Sequence, residues 1–130
     1  MSHFSTVKTH LRKRKPLLKA LNDLGFTPLD DKTSIRGFRG QTVMTDLAVK
    51  VEDSGDFGFL WNENNKSFEL VTDLDLWKQP IPFETFVSKL TQRYAFNTVI
   101  ETTQSEGFEI TEQKNNLDGS IELVVTRWDS

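Results

Sequence analysis

The chain has no cysteine. That single absence excludes disulfides, thiolate metal sites, iron–sulfur ligation and a cysteine nucleophile. Histidine is nearly as scarce, with only His3 and His10. On an extended segment these two would lie about 20 Å apart and on opposite faces, too far to share an ion. Asp73 and Asp75 offer a hard-cation pair beside Trp77, but two carboxylates alone bind magnesium weakly. No metal and no cofactor is therefore expected. Absent too are a phosphate loop, a Gly-x-Gly-x-x-Gly turn and a nucleophile elbow, so no catalytic residue is assigned. No apolar run approaches the roughly 20 residues of a membrane span, and Met1-Ser2-His3 opens no signal peptide. These exclusions leave a soluble, cytoplasmic chain without an ordinary enzyme motif.

What is present suffices for one domain spanning residues 1–130. Leu, Ile, Val and Phe together make 38 of the 130 residues, well above the level of roughly 20% below which chains tend to stay disordered. Charge is unevenly placed. Residues 1–50 carry ten Lys/Arg against four Asp/Glu, whereas residues 51–130 carry six against fifteen. Such polarity suits orientation toward a partner or head-to-tail self-association, although a solvated surface can drift to the same pattern.

Two segments have helical periodicity. Pro16 suits a first turn, and Leu17, Leu18, Leu21 and Leu24 follow on one face before Gly25 closes the segment. A second helix opens near Pro82, with Phe83, Phe86, Val87, Leu90 and Tyr94 as its stripe. Val99 and Ile100 extend it toward Gly107, with room for a bend near Asn97. Elsewhere the period is two: Val43, Thr45, Leu47, Val49 and Val51, then Phe57, Phe59 and Trp61, then Phe68 and Leu70. Phe108 and Ile110 lead to an Asp118-Gly119 turn before Ile121, Leu123 and Val125, a strong hairpin signal. These patterns predict an α+β two-layer sandwich, a mainly antiparallel sheet covered on one face by two helices. Leu24-Gly25-Phe26 and Glu106-Gly107-Phe108 also form a weak repeat, explained by duplication or simply by the glycine cap that any helix-to-strand link favours.

Four groups of residues bear on function. The basic run Arg12, Lys13, Arg14, Lys15 sits at a helix N-terminus, where cations oppose the macrodipole, so it is not there for helix stability. An anion there would gain from four charges and free backbone amides; against this, such runs are common on solvated loops, and a pI near 5.4 argues against dedicated nucleic-acid binding. Arg36 and Arg39 flank Phe38 in a glycine-containing segment that could stack on bases and grip phosphates, or merely make a turn with Phe38 packed inward. Asp73 and Asp75 would point to the same side of an extended segment, or serve a turn. Arg93 is placed to pair with a carboxylate from the acidic half, and Tyr94 to bury its ring while its hydroxyl reaches a partner.

Met1-Ser2-His3-Phe4-Ser5, Arg36-Gly37 with Gly40-Gln41-Thr42, Gly58-Phe59, Gln92-Arg93-Tyr94-Ala95, Asp118-Gly119-Ser120-Ile121 and Arg127-Trp128 occur in order along nearly the whole chain. Together they resemble the hypothetical chloroplast open reading frame 35 family, also called domain of unknown function 1257. The resemblance implies a cyanobacterial or plastid setting, or a phage of such a host. It accordingly implies the plastid stroma for a plastid-encoded member and the host cytoplasm for a phage-encoded one. It transfers no catalytic or cofactor residue. It implies an accessory role beside photosynthetic or electron-transfer machinery, with a ferredoxin-like protein as partner. The Arg12–Lys15 run departs from the family pattern, which is neutral or acidic there, so an anion site at that spot would be particular to this chain.

Three functions remain in view. A non-enzymatic binding or assembly-accessory domain with a protein partner ranks first, given the charge polarity and the ten Phe and three Trp available as anchors. A nucleic-acid or nucleotide binder using the basic half ranks second, and a small enzyme with a pocket between sheet and helices third.

Overall fold

A computed structural model describes residues 4–127, so His3 and the rest of Met1-Ser2-His3, together with Trp128, lie outside the described residues. The elements run β1 (Phe4–Lys8), α1 (Arg14–Asp23), β2 (Thr33–Arg36), β3 (Thr42–Thr45), β4 (Leu47–Val49), β5 (Phe57–Asn62), β6 (Ser67–Asp73), α2 (Phe83–Ser105), β7 (Phe108–Asn115) and β8 (Ile121–Arg127). Antiparallel pairing gives a four-stranded sheet in the order β1-β6-β5-β4, with β2-β3 and β7-β8 as separate two-stranded sheets. The α+β class and the two helices agree with the sequence pattern.

The period-two residues fill the layer between sheet and helices. Leu47, Val49, Phe57, Phe59, Phe68 and Leu70 face Leu17, Leu21, Phe86 and Leu90, all of them buried. Phe57 is the hub, with Phe26, Phe59, Trp77 and Phe86 ringed around it at 5.0–6.1 Å. Each such side chain, fully buried, is worth about 1.5–3 kcal/mol, which makes this face the main source of stability.

The run from Val43 to Val51 is not one strand. At Asp46 the chain leaves one sheet for another: its amide donates to the Phe59 carbonyl at 2.9 Å, and its carboxylate accepts the Trp61 amide at 2.9 Å. Before this break, β3 pairs with β2; after it, β4 pairs with β5. The switch lays β2-β3 over the back of the central sheet, where Ile35 packs with Ala48 and Val71 beside Val43, Phe4 and Leu60. The face expected to be polar is thus covered in part.

Both helices end by the same device. Gly25, at φ +93°, lets its own amide reach the Asn22 carbonyl and the Phe26 amide reach that of Leu21, which satisfies the last carbonyls of α1. Gly107, at φ +85°, repeats the first of these bonds on Gln104. α2 runs uninterrupted for 23 residues, and its apolar stripe from Phe83 to Tyr94 is buried as the sequence indicates. Val99 departs from that stripe at 49% exposure, because five residues past Tyr94 it stands about 140° around the helix, on the side of Ile121 and Leu123. Its last turns carry the β7-β8 hairpin instead. No residue of the hairpin is buried. An irregularity between Ile110 and Glu112 inserts Thr111 as an extra residue, which moves Gln113 and Asn115 to the face of Ile121 and Leu123.

Candidate functional site

The approach to α1 is fixed from across the fold. Thr9 Oγ1 donates to the Phe68 carbonyl, and the Phe68 amide donates to the Leu11 carbonyl at 2.7 Å. Leu11 is thereby buried and residues 12–15 are left on the surface. The Tyr94 hydroxyl of α2 then accepts both the Arg12 amide, at 3.0 Å, and the Lys13 amide, at 2.9 Å. Lys13 is the N-cap of α1 and supplies no side-chain cap; Tyr94 instead anchors the chain where it enters the helix, on the amides of the N-cap and the residue before it. The expected burial of the Tyr94 ring holds. Of the amides around the basic run, those of Arg12 and Lys13 belong to Tyr94.

Beside this helix start lies a groove of about 580 Å³ lined by Arg12, Arg14, Asp31, Lys32, Asp46, Trp61 and Phe68. Its floor is aromatic, the Trp61 and Phe68 rings meeting edge to face at 5.0 Å. Arg14 is held over it: its guanidinium is 6.0 Å above the Phe68 ring, 2.7 Å from the Asp30 carboxylate and 3.2 Å from the Asp46 carbonyl. Arg14 is therefore a wall of the groove and not a free cation. Arg12, Lys13, Lys15 and Lys32 are exposed and make no ion pair among the described residues. The two lining carboxylates are engaged, Asp46 by the Trp61 amide and Asp31 by the Thr33 hydroxyl at 2.8 Å. The lining thus sets Arg12, Arg14 and Lys32 against Asp31 and Asp46 over an aromatic floor, and Lys13 and Lys15 stand exposed at the helix start beside it.

The other candidate residues are drawn elsewhere. Arg36 is engaged within the chain: its Nε and Nη2 each donate to Asp56 at 2.9 Å, and its own amide and that of Val51 complete the set. Burial pushes the Asp56 carboxyl up, but these four donors outweigh it and hold the carboxyl below its ordinary value. The hydrogen bond to Asp56 in turn raises Arg36. Arg39 sits at φ +55° with its guanidinium 5.2 Å over Phe38. Phe38, expected to pack inward, is 39% exposed, because Phe4 fills the space against Gly37. Arg93 does pair with a carboxylate, but from the basic half: Asp23 at 2.8 Å. Burial raises the Asp23 carboxyl, and donors from Arg93, Asn97 and Lys19 more than reverse this. Asp73 and Asp75 do not share a side. Asp73 is buried and accepts the amides of Phe38 and Asp75, while Asp75 is exposed, since the chain turns at Leu74.

Lys32 and Trp61 are the groove residues that the sequence pattern misses. Alternation assigns Trp61 to the core with Phe57 and Phe59, and it does share their face, but at the rim, half-exposed. Nothing local marks Lys32.

The fold and this surface together define a small two-helix α+β protein with an aromatic-floored groove beside a basic helix start. Among the described residues, no three His, Cys, Asp or Glu side chains are grouped to hold a metal, and no helix is long and apolar enough to cross a membrane. The chain belongs to the family described as a protein of unknown function (DUF1257), which matches residues 20–124. It is 38% identical over 128 residues to uncharacterized protein ycf35 of Pyropia yezoensis, with 98% of each chain covered. Its identity is again 38% with ycf35 of Cyanophora paradoxa and 34% with that of Guillardia theta, over the same share of each chain. The ycf35 relatives are plastid-encoded, which supports the plastid setting of the family and not a phage source. No solved structure matches.

Proposed function

We propose that this chain is a non-enzymatic binding or assembly-accessory domain whose docking surface is the groove at the head of α1. The observation that carries this reading is the set of four cations, Arg12, Lys13, Lys15 and Lys32, without ion-pair partners beside a half-exposed tryptophan. Cations next to an aromatic anchor are what a protein-docking surface uses for orientation and affinity. The groups an enzyme would recruit are already engaged: Asp56 with Arg36, Asp23 with Arg93, and Tyr94 with two amides. The plastid relatives favour the stroma as the compartment. The family resemblance favours a partner from photosynthetic or electron-transfer machinery, a ferredoxin-like protein in particular.

A second reading uses the same groove for a nucleotide or nucleic acid, a base stacking on Trp61 and phosphates meeting Arg12 and Lys32. A small-enzyme reading ranks last. The cleft between the helices and the loop before α2, about 290 Å³ and lined by Leu24, Phe26, Ile81 and Phe86, brings no convergent titratable groups.

The test is capture from a stromal extract with the wild type and with Arg12→Gln/Lys13→Gln/Lys32→Gln. A stoichiometric protein bound by the first and lost by the second supports docking. Equal capture by both would refute it. Oligonucleotide binding that quenches tryptophan fluorescence and weakens steeply with salt would favour the second reading.

A further inference from the structure

We propose that the occupant of the groove is the β7-β8 hairpin tip of a second copy, so that the chain associates head to tail. This rests on the groove being a protein-docking surface and names its partner.

The tip offers an apolar residue and carboxylates to the groove and to the basic helix start beside it. Leu117 projects from it with its side chain wholly exposed, at 109%. Asp118 follows, its carboxyl held below the ordinary value by the hydroxyl and amide of Ser120. Glu122 lies alongside, accepting from Asn116 at 3.2 Å. Residues 106–127 carry Glu106, Glu109, Glu112, Asp118 and Glu122 against Lys114 and Arg127 only. An apolar residue flanked by carboxylates thus faces outward on one side of the molecule. On another lies an aromatic floor flanked by Arg12 and Lys32, with Lys13 and Lys15 beyond and the engaged Asp31 and Asp46 within.

The two surfaces cannot meet inside one chain. Tyr94 points to the head of α1, reaching the Arg12 and Lys13 amides. Gln92 points to the hairpin, its Nε2 lying 3.2 Å from where a Cβ on Gly119 would stand. Two residues on a helix differ by about 200°, so groove and tip sit on opposite sides of α2. Complementary patches on opposite sides make a heterologous contact, which builds open chains or rings and not a closed two-fold dimer. The contact is small, so the association is transient and salt-sensitive.

The experiment is sedimentation of the full chain up to about 0.5 mM, at about 20 mM and about 500 mM salt, where the Debye length falls from roughly 20 Å to below 5 Å. Arg12→Gln/Lys13→Gln/Lys32→Gln removes the groove charge, and Leu117→Ser/Asp118→Asn/Glu122→Gln removes the tip. The wild type is expected to grow past dimer with concentration, its association constant falling about tenfold or more in high salt. Each variant alone should stay monomeric. Their equimolar mixture should form dimers and stop there, because only one intact groove and one intact tip face each other. That mixed dimer also certifies that both variants are folded. A monomeric wild type at the highest concentration, variants that assemble like the wild type, or a mixture that stays monomeric beside an assembling wild type would each overturn the proposal. If the wild type stays monomeric but a foreign acidic protein still binds the groove, self-association fails while the docking role stands.

Discussion

Replacing Tyr94 with phenylalanine removes one oxygen and leaves the buried ring in place. The packing of α2 on α1 is untouched, as is the backbone carbonyl of residue 94, which accepts from Thr98 at 2.9 Å. What is lost is the acceptor for two amides, at 3.0 and 2.9 Å, at a helix start with no side-chain cap. A hydrogen bond between neutral groups contributes about 0.5–1.5 kcal/mol net, so the pair is worth about 1–3 kcal/mol. For a domain of this size the central value of about 2 kcal/mol lowers the melting temperature by roughly 6–10 °C. Urea unfolding gives the free energy directly, and an unchanged slope identifies the loss as one of stability alone. Amide exchange at Arg12 and Lys13 supplies the local readout, with both amides slow in the wild type and fast in the variant. A loss below about 0.5 kcal/mol, or a larger loss with exchange at both amides unaltered, would refute the idea that Tyr94 anchors the entry to α1.

Asp56→Asn should cost about 1–3 kcal/mol, because an amide nitrogen then replaces one of the two oxygens that accept from Arg36 and the Val51 amide. Because the folded carboxyl titrates below its ordinary value, its stabilisation is present above the unfolded value of about 3.9 and is lost as pH falls through the folded value. The urea midpoint followed from pH 6 downward should therefore show a shallower acid limb in this variant. Lys13→Asp supplies an N-cap and removes a cation from the positive end of a helix. It should raise stability by about 1 kcal/mol while weakening whatever the groove binds; an unchanged or lower melting temperature would contradict the first half. Gly119→Val forces a β-branched residue to adopt φ +90° and should cost about 1 kcal/mol or more, read by thermal melting. Excess chelator should leave the circular dichroism unchanged, and a chelator-induced loss of structure would reveal a metal.

The main core could be read from the chain because its two periods are uninterrupted. Phe83, Phe86, Leu90 and Tyr94 repeat at helical spacing and Phe57, Phe59 and Trp61 at strand spacing, and both sets face the same layer. The strand from Val43 to Val51 misled because alternation continues through Asp46, and nothing in a period-two pattern records which neighbour a strand bonds. That information lies in Phe59 and Trp61, more than ten residues downstream. The candidate site was half legible. A basic run announces itself, so Arg12–Lys15 stood out, but the residues that give it a floor come from β5, β6 and the segment before β2. The same blindness applies to Arg36: an arginine between Ile35 and Gly37 looks available until a buried aspartate twenty positions away is placed against it.

The pairing of β1 with β6 has a consequence during synthesis. β1 finds its hydrogen-bonding partners only between Glu69 and Asp73, and the chain entering α1 finds its anchor only at Tyr94. At about 5–20 residues per second, the segment from Phe4 to Asp23 leaves the ribosome and waits roughly 4–14 s for the residue that finishes it. Through that interval Leu11, Leu17 and Leu21 are exposed on a chain too short to bury them. The six cations from Lys8 to Lys19 then repel the same segment on neighbouring nascent chains. The charges that burden the finished helix would serve the unfinished one as protection against premature association.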